Sequence, residues 1–326
     1  IIMPNNEIEF VRNNRIAEEV VLVDGPARSG KSMLGPILSS FARVEIERIE
    51  PFFDCFPKLY SCKKITKDAA ISLLRREVDV RLYDSMVSRM INFRIRDRTS
   101  VFNSPNSFRY IKRMFLKDGD IVLDRIKKEK PIFQVMTHDN LQNLDLFLEA
   151  FGDGLRVIEM VRHPVDLVYS MNNRGYGNYL ALNPRYWEIG IKGNGGDFPY
   201  YANGWIDKYL KYSPIDRVIN RVKLNAKQVS DKYDSFPQSL KRQIFFISFE
   251  DFKNNTYKYL ELIENFISSK VTKHTRKVLK KLKFPTQIDP EMRKNRMKLI
   301  KERASKECLQ ILDDLVEEYE CKYFNH

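Results

Sequence analysis

The fold class of this 326-residue chain is indicated by the stretch Val20-Val-Leu-Val-Asp-Gly-Pro-Ala-Arg-Ser-Gly-Lys-Ser-Met-Leu34. An apolar run ends at Asp24, and the loop from Gly25 to Ser32 that follows it matches the phosphate-loop pattern G-x-x-x-x-G-K-[ST]. Such loops join a buried strand to a helix and bind phosphates with backbone N–H groups at the helix N-terminus. The stretch predicts a nucleotide-binding α/β protein, with an ATP- or GTP-using enzyme as the first candidate.

Similar short apolar runs, separated by apolar stripes at helical spacing, recur outward from this loop. Predicted strands cover residues 20–23, 132–136, 155–161 and 243–248. Predicted helices cover residues 31–41 and 140–151. Further helices are predicted after the capping residue Thr66, from Pro164 onward and at the C-terminus. This alternation predicts a three-layer α/β P-loop fold with a central parallel sheet flanked by helices. We predict one domain over residues 1–326, with a loop insertion at 172–205 and C-terminal helices from about residue 270.

Ligands of such sheets bind outside the carboxyl ends of the strands, so the residues at those ends are the candidates for chemistry. An ATP-dependent enzyme needs an acidic residue there for Mg²⁺, but two strands end in Thr-His and Arg-His. The fourth ends in Ser248-x-x-Asp251, which fits a helix capping box. We therefore predict no metal site, which counts against a kinase, although Lys31 within the loop pattern favours one.

Three further residues are candidates for binding or catalysis. Arg162 leaves a strand just before Pro164 opens a helix, and Ser170 lies two turns along that helix, so the two side chains together suit a phosphate. The alternative is a salt-bridged arginine and a surface serine. His138 follows a buried strand on the ligand side, where a neutral imidazole can take a proton from a hydroxyl, or where it is only structural.

Composition narrows the class of protein. The net charge of +13 agrees either with an anionic ligand or with a general lysine bias, and no motif for nucleic-acid binding is present. The chain has no run of eighteen apolar residues and no secretory opening, which predicts a cytoplasmic protein, although it begins Ile-Ile-Met-Pro and a removed N-terminal anchor stays open. The four cysteines lack metal-ligand spacing and are predicted to be reduced, with pairing of Cys55 and Cys62 as the alternative.

Three motifs, in this order, resemble the sulfotransferase family, which uses 3′-phosphoadenosine 5′-phosphosulfate (PAPS). Residues 26–34 resemble the family's 5′-phosphosulfate loop, residues 134–138 its strand ending in Thr-His, and residues 157–170 its 3′-phosphate motif. Residues 246–252 also resemble the usual strand-to-helix junction of the family. The likeness spans residues 20 to 266, and the spacing of Arg162 and Ser170 is its most specific part.

The resemblance implies a cofactor, PAPS, whose product is adenosine 3′,5′-bisphosphate (PAP), and a sulfuryl transfer that has no obligatory metal. It also implies roles for individual residues. His138 is the general base, Arg28 and Lys31 stabilise the charge on the leaving group, and the remaining cofactor-binding residues are Ser29, Gly30, Ser32, Arg162 and Ser170.

The chain departs from the family at several positions. Met33 replaces the adenine-stacking tryptophan of the cytosolic members, Met136 replaces a lysine, and Lys31 stands where the family has threonine. Arg28 is typical of carbohydrate-type and bacterial members, to which the chain is closer. The family's C-terminal Arg-Lys-Gly loop is not visible, and Lys270, Lys273 and Arg276 are candidates to replace it. These departures leave a catalytically silent nucleotide-binding protein as an alternative.

The acceptor is predicted from residues 172–205, a glycine-, asparagine- and aromatic-rich stretch expected to form a long loop over the active site. Its aromatic rings together with Asn and Asp suit a carbohydrate or another polar small molecule that offers a hydroxyl or amine. An aromatic-pinned structural loop is an equal alternative. The aromatic residues are Tyr176, Tyr179, Tyr186, Trp187, Phe198, Tyr200 and Tyr201.

Overall fold

The computed structural model describes residues 8–178 and 188–323. Its centre is a four-stranded parallel sheet in the order β2-β1-β3-β6, and a separate antiparallel pair joins β4 to β5. The strands are β1 (Glu19–Asp24), β2 (Ile132–Met136), β3 (Leu155–Val161), β4 (Gly190–Gly193), β5 (Gly196–Pro199) and β6 (Ile244–Ser248). All four predicted strands of the main sheet are confirmed, with ends that differ by no more than one residue.

The helices cover both faces of the main sheet. They are α1 (Lys31–Leu38), α2 (Pro51–Ser61), α3 (Lys67–Met86), α4 (Ser107–Arg113), α5 (Asp120–Glu129), α6 (Leu144–Phe151), α7 (Pro164–Asn172), α8 (Ile206–Lys211), α9 (Pro214–Ser235), α10 (Gln238–Lys241), α11 (Phe249–Asn254), α12 (Thr256–Phe266), α13 (Lys273–Leu282), α14 (Pro290–Lys301) and α15 (Lys306–Tyr323). One core lies between the sheet and α3, α5 and α6, and a second lies between the opposite face and α1, α12 and α13. The predicted three-layer α/β arrangement is therefore confirmed.

The sheet register brings the functional strand ends to one edge. β1 is central and pairs in parallel with β2 and β3, so that Val23 lies opposite Met136 and Asp24 opposite Glu159. Since every strand of this sheet runs in the same direction, the residues that follow β1, β2, β3 and β6 meet at the same edge. Both faces are covered, which explains why these strands are apolar runs and not alternating ones.

Helix ends follow the signals in the sequence. Thr66 Oγ1 accepts a hydrogen bond from Ala69 N (3.4 Å) at the start of α3, and Pro164 is the first residue of α7. Ser248 Oγ accepts from Asp251 N (3.2 Å), so this pair caps α11 as expected. The C-terminal helices predicted from about residue 270 are α13, α14 and α15.

Three details of the sequence prediction were wrong. The predicted helix 31–41 ends at Leu38, where the Ser39 hydroxyl bonds back to Gly35 O (3.0 Å) and the chain turns. The predicted helix 140–151 starts with a 3₁₀ turn, Leu141–Asn143. The stretch 172–205 is not wholly a loop, since its described part contains β4 and β5.

All four cysteines are free. Within residues 8–178 and 188–323, no helix is long and apolar enough to cross a membrane.

Candidate nucleotide and acceptor site

The loop between β1 and α1 is held in a shape that only glycine permits at two positions. Gly25 (φ +128°) and Gly30 (φ +105°) both lie in the positive-φ region. A Cβ on Gly25 would lie 2.4 Å from Met160 O, and one on Gly30 would lie 2.3 Å from the Phe249 ring. The loop backbone is thereby pressed against β3 and the start of α11, and the first N–H groups of α1 are left for an anion.

Arg28, Arg162 and Ser170 meet at this loop, although they are distant in the sequence. Arg28 Nε donates to Ser170 Oγ (2.9 Å), and Arg162 Nη1 donates to Arg28 O (2.7 Å). The Arg162 guanidinium also lies over the Phe249 ring, 5.0 Å from its centroid. Burial lowers the pKa of Arg162, and Glu250 opposes that shift. The two predicted phosphate-binding regions are thus one continuous basic surface.

Two polar atoms of this surface lack a hydrogen-bond partner among the described residues. Ser29 Oγ and Arg162 Nε are buried and make no hydrogen bond to the described residues. A buried polar atom without a partner is costly, and an oxygen-rich anion would satisfy both. Ser32, in the first turn of α1, is exposed on the same loop.

Lys31 does not face the surface that Arg28 and Arg162 form. Its side chain is buried, and Nζ donates to Pro26 O (2.8 Å) and to Gly25 O beneath the loop. Burial lowers the pKa of Lys31, while the fields of Asp24, Asp139 and Glu159 oppose that shift. A catalytic role for Lys31 would require its ammonium to leave both carbonyls, so Arg28 is the exposed cation of the loop.

Asp24, the acid at the end of β1, is fully buried and occupied by three donors. Its carboxylate accepts from Thr137 Oγ1 (2.8 Å) and from the backbone N–H groups of Asn140 and Leu141 (2.7 Å each). Burial raises the pKa of Asp24, and Lys31 opposes the shift. Asp24 therefore ties the end of β1 to the segment that carries His138.

His138 is paired with a carboxylate that the sequence did not indicate. Asp54, in α2, accepts from His138 N through Oδ1 (2.8 Å), and its Oδ2 lies 3.1 Å from His138 Nδ1. Asn140 Nδ2 also donates to Asp54 Oδ1 (2.9 Å). Burial acts to raise the pKa of Asp54, but the hydrogen bonds and charge of His138 outweigh it, and the net shift is downward. With Nδ1 engaged, Nε2 is the nitrogen left for an acceptor, and 35% of the His138 side chain is exposed.

A polar cleft of about 510 Å³ opens at the segment that follows His138. It lies between the 3₁₀ turn after β2, the middle of α9 and the aromatic segment before α8. Its lining includes Asp139, Asn143, Tyr200, Tyr201 and Arg221. Arg221 is nearly fully buried and bonds to Asp139 (3.2 Å) and Glu188 (3.3 Å), while its guanidinium lies 4.2 Å from the Tyr201 ring centroid. The cleft thus combines aromatic faces with hydrogen-bonding groups.

The predicted aromatic segment has two parts with different surroundings. Phe198 is fully buried and packs with Ala202 and Tyr209 in a small core of its own, as the structural alternative expected. Tyr200 and Tyr201 line the cleft, and acceptor binding by them stays a prediction. The Arg221 guanidinium also lies over the Tyr176 ring, 5.3 Å from its centroid. Residues Tyr179, Tyr186 and Trp187 lie outside the described residues.

The suggested replacement for the Arg-Lys-Gly loop was wrong. Lys270 O accepts from Ala42 N (2.9 Å), and Thr272, next to Lys273, bonds to Ser40 O (2.7 Å), which places this segment at the amino ends of the strands. Lys270, Lys273 and Arg276 therefore lie at the edge opposite the phosphate loop. Besides Arg28, the cations that interact electrostatically with Arg162 include Lys253, in α11, and Arg296, in α14.

Comparisons with known proteins support one family. A sequence profile described as "Sulfotransferase domain" matches residues 18–308, and no match was found among curated protein sequences. Among solved structures, the chain is similar to the sulfotransferase domain of the Synechococcus PCC 7002 olefin synthase (11% identity, 94% of this chain and 96% of that chain covered, TM-score 0.46). It is also similar to a sulfotransferase from Alicyclobacillus acidocaldarius (15% identity, 92% and 96% covered, TM-score 0.41). Because the family profile spans most of the sequence, this chain belongs to the PAPS-dependent sulfotransferase family.

Proposed function

We propose that this protein transfers the sulfuryl group of PAPS to a hydroxyl or amine of a polar acceptor, a carbohydrate or a similar small molecule. The observation that carries the proposal is the pairing of His138 with Asp54 at the sheet edge that also holds the anion-binding loop. A base and an anion site at adjacent strand ends are what an in-line group transfer requires.

The residues present fit a nucleotide with phosphates at both ends of its ribose. Gly30, Ser32 and the N–H groups at the start of α1 would hold the 5′ end, while Arg162 and Ser170 would hold the 3′-phosphate. The unpartnered Ser29 Oγ and Arg162 Nε support this assignment, because both gain a partner when an oxyanion binds. The donor supplies an activated sulfuryl group when bound.

His138 would act as the general base at the acceptor. Its Nε2 takes the proton of the acceptor hydroxyl as that oxygen forms its bond to sulfur, and the bridging S–O bond breaks. The electron pair of that bond leaves with the bisphosphate, where Arg28 stabilises the growing negative charge. Asp54 holds the imidazole so that Nδ1 carries the proton and Nε2 is free to accept one.

The cleft supports a polar acceptor. Tyr200 and Tyr201 offer ring faces, and Asn143 and Gln228 offer amide groups in the same lining. A sugar matches this combination, because its C–H face packs on aromatic rings while its hydroxyls bond to amides and carboxylates. A cytoplasmic location stays a prediction of the sequence.

A transfer assay with PAPS tests this proposal. The enzyme is incubated in EDTA with PAPS and a panel of saccharides and polar hydroxylated small molecules, and sulfated products are detected by mass spectrometry. We expect turnover that His138→Ala reduces roughly 10²–10⁴-fold, while PAP binding is kept. His274→Ala is the matched control, since His274 lies in α13 at the opposite edge. Near-normal turnover by His138→Ala, or ATP·Mg²⁺-dependent phosphorylation of the panel in place of sulfation, would contradict the proposal.

A further inference from the structure

Residues 89–117, which connect α3 to α5, carry a concentration of exposed apolar side chains. Eight of the twenty large apolar side chains that are exposed in the described part of the chain fall within this segment. They are Met90, Phe93, Ile95, Phe102, Phe108, Met114, Phe115 and Leu116. We refer to these eight side chains and the cations among them as the basic–apolar surface. Clusters of exposed apolar residues of this kind mark interaction sites more often than single exposed residues do.

Inward-facing residues anchor the segment, and their packing determines which of its side chains face solvent. Val101 and Tyr110 are almost fully buried and pack with Ile46. Tyr110 Oη accepts from Ile46 N (2.6 Å) and donates to Glu45 Oε2 (2.9 Å). Phe108 precedes Tyr110 by two helical positions, about 200° around α4, and is 66% exposed. Burial of Tyr110 therefore turns Phe108 towards solvent.

The same segment is strongly basic. It contains eight Lys or Arg residues and one acidic residue. Arg89, Arg98, Arg109 and Arg113 pair with acids outside the segment. Arg96, Lys112 and Lys117 are exposed and have no acidic partner among the described residues. The one acid, Asp97, is engaged by Arg94 (3.5 Å) and Asn92 (3.2 Å). Lys112 Nζ lies 4.8 Å from the Phe108 ring centroid, so cations and aromatic rings are interleaved. The surface ends at Asp118, where the following residues become acidic.

We propose that the basic–apolar surface docks the protein onto the surface of an anionic lipid bilayer. Exposed Phe, Leu and Met side chains enter the boundary between headgroups and acyl chains, and Lys and Arg beside them bind lipid phosphates. The exposed cations Arg96, Lys112 and Lys117 favour an anionic partner. The contact of Lys112 with the Phe108 ring suits an interface that is apolar on one side and charged on the other.

This docking would set the position of the donor site. Arg98, within the segment, donates to Ser32 O (3.0 Å) in the first turn of α1, so the basic–apolar surface adjoins the phosphate loop. The other end of the surface lies at the opposite edge of the sheet, where Arg109 Nη2 donates to Ala42 O (3.1 Å), so docking would lay the flank of the sheet against the bilayer. The attachment is peripheral, since it uses side chains of a folded surface.

Vesicle co-sedimentation tests the proposal with the full chain. We expect the protein to sediment with vesicles of mixed phosphatidylcholine and phosphatidylserine, and not with phosphatidylcholine alone, and binding should weaken as salt is raised. The double variant Phe108→Ser/Phe115→Ser removes two exposed rings, 66% and 83% accessible. The triple variant Arg94→Gln/Arg96→Gln/Lys112→Gln removes three charges. Each variant should bind at least about tenfold more weakly.

Matched variants elsewhere on the surface control for general losses of charge or apolar area. Tyr257→Ser/Leu262→Ser changes two exposed apolar residues of α12, and Lys298→Gln/Lys301→Gln/Arg303→Gln removes three charges near the end of α14. These controls should bind vesicles like the unmodified protein. Equal binding to both vesicle types, or equal losses in controls and test variants, would overturn the proposal. So would an absence of vesicle binding with self-association that Phe108→Ser/Phe115→Ser abolishes, because the surface would then join two copies of the chain.

Discussion

Replacing Asp54 with Asn should remove most of the catalytic power of His138 and leave the fold intact. Asp54 Oδ1 accepts from His138 N (2.8 Å) and Asn140 Nδ2 (2.9 Å), and the amide oxygen of Asn can accept both bonds. The substitution replaces Oδ2, which lies 3.1 Å from His138 Nδ1, with an NH₂ group that donates a hydrogen bond. Such a donor favours the tautomer in which Nδ1 is the acceptor and Nε2 carries the proton, and that Nε2 cannot take a proton from the acceptor.

The size of the effect follows from the role of the base. A positioned general base contributes roughly 10²–10⁴-fold to the rate, so Asp54→Asn should lower kcat by about 10²-fold or more and at most as much as His138→Ala. The assay is the initial rate of sulfated product from PAPS, with PAP affinity measured by calorimetry as a control for the nucleotide site. The variant carrying both changes should be no slower than His138→Ala, because the two residues act as one unit. A kcat within threefold of the unmodified enzyme (a difference of about 0.7 kcal/mol), or multiplying losses in the double variant, would refute this reasoning.

Two further predictions concern the loop and the pH dependence of stability. Gly30→Ala adds a methyl 2.3 Å from the Phe249 ring at φ +105°, so in urea unfolding it should cost more than Gly204→Ala, where φ is +85° but no atom lies within 4 Å; equal losses would mean that the loop moves freely. The backbone part of either loss is about 1–2 kcal/mol. Burial raises the pKa of Glu47 to about 7, and Arg98 opposes the shift. The folded state therefore keeps a proton that the unfolded chain has released, and the free energy of unfolding should fall between pH 4.5 and about 7 and then level off. Glu47→Gln should reduce that fall by up to about 3 kcal/mol, and an unchanged pH profile would contradict the burial of an ionisable Glu47.

The sheet and the nucleotide loop were predictable because their signals are local. A parallel strand covered on both faces is an apolar run, and β2 and β3 begin and end where those runs do. Pro164 and Ser248 mark helix starts by their own backbone and side-chain chemistry. The spacing of Arg162 and Ser170 likewise indicated a shared site, although their meeting with Arg28 depends on the sheet order.

The acid that orients His138 was not predictable from the sequence. Asp54 lies in α2, a helix with an internal proline, Pro57, and it comes within 3.1 Å of His138 only through tertiary packing. The inward turn of Lys31 was also missed, because the loop pattern is the same whether the ammonium faces a phosphate or the loop carbonyls. Buried carboxylates, Asp24 and Glu159, decide between the two, and their proximity depends on the pairing of β1 with β3.

Calorimetric titration with PAP in EDTA, beside ATP with Mg²⁺, tests whether the phosphate loop and Arg162 form the donor site. We expect PAP to bind without metal and Arg162→Ala to weaken this binding roughly 10- to 150-fold, the value of one hydrogen bond to a charged group. At a hundredfold excess over its dissociation constant, PAP should stabilise the fold by about 2.7 kcal/mol, and that gain should shrink in Arg162→Ala. Binding of ATP·Mg²⁺ alone, or PAP binding that Arg162→Ala leaves unchanged, would contradict a sulfotransferase donor site built from the loop and Arg162.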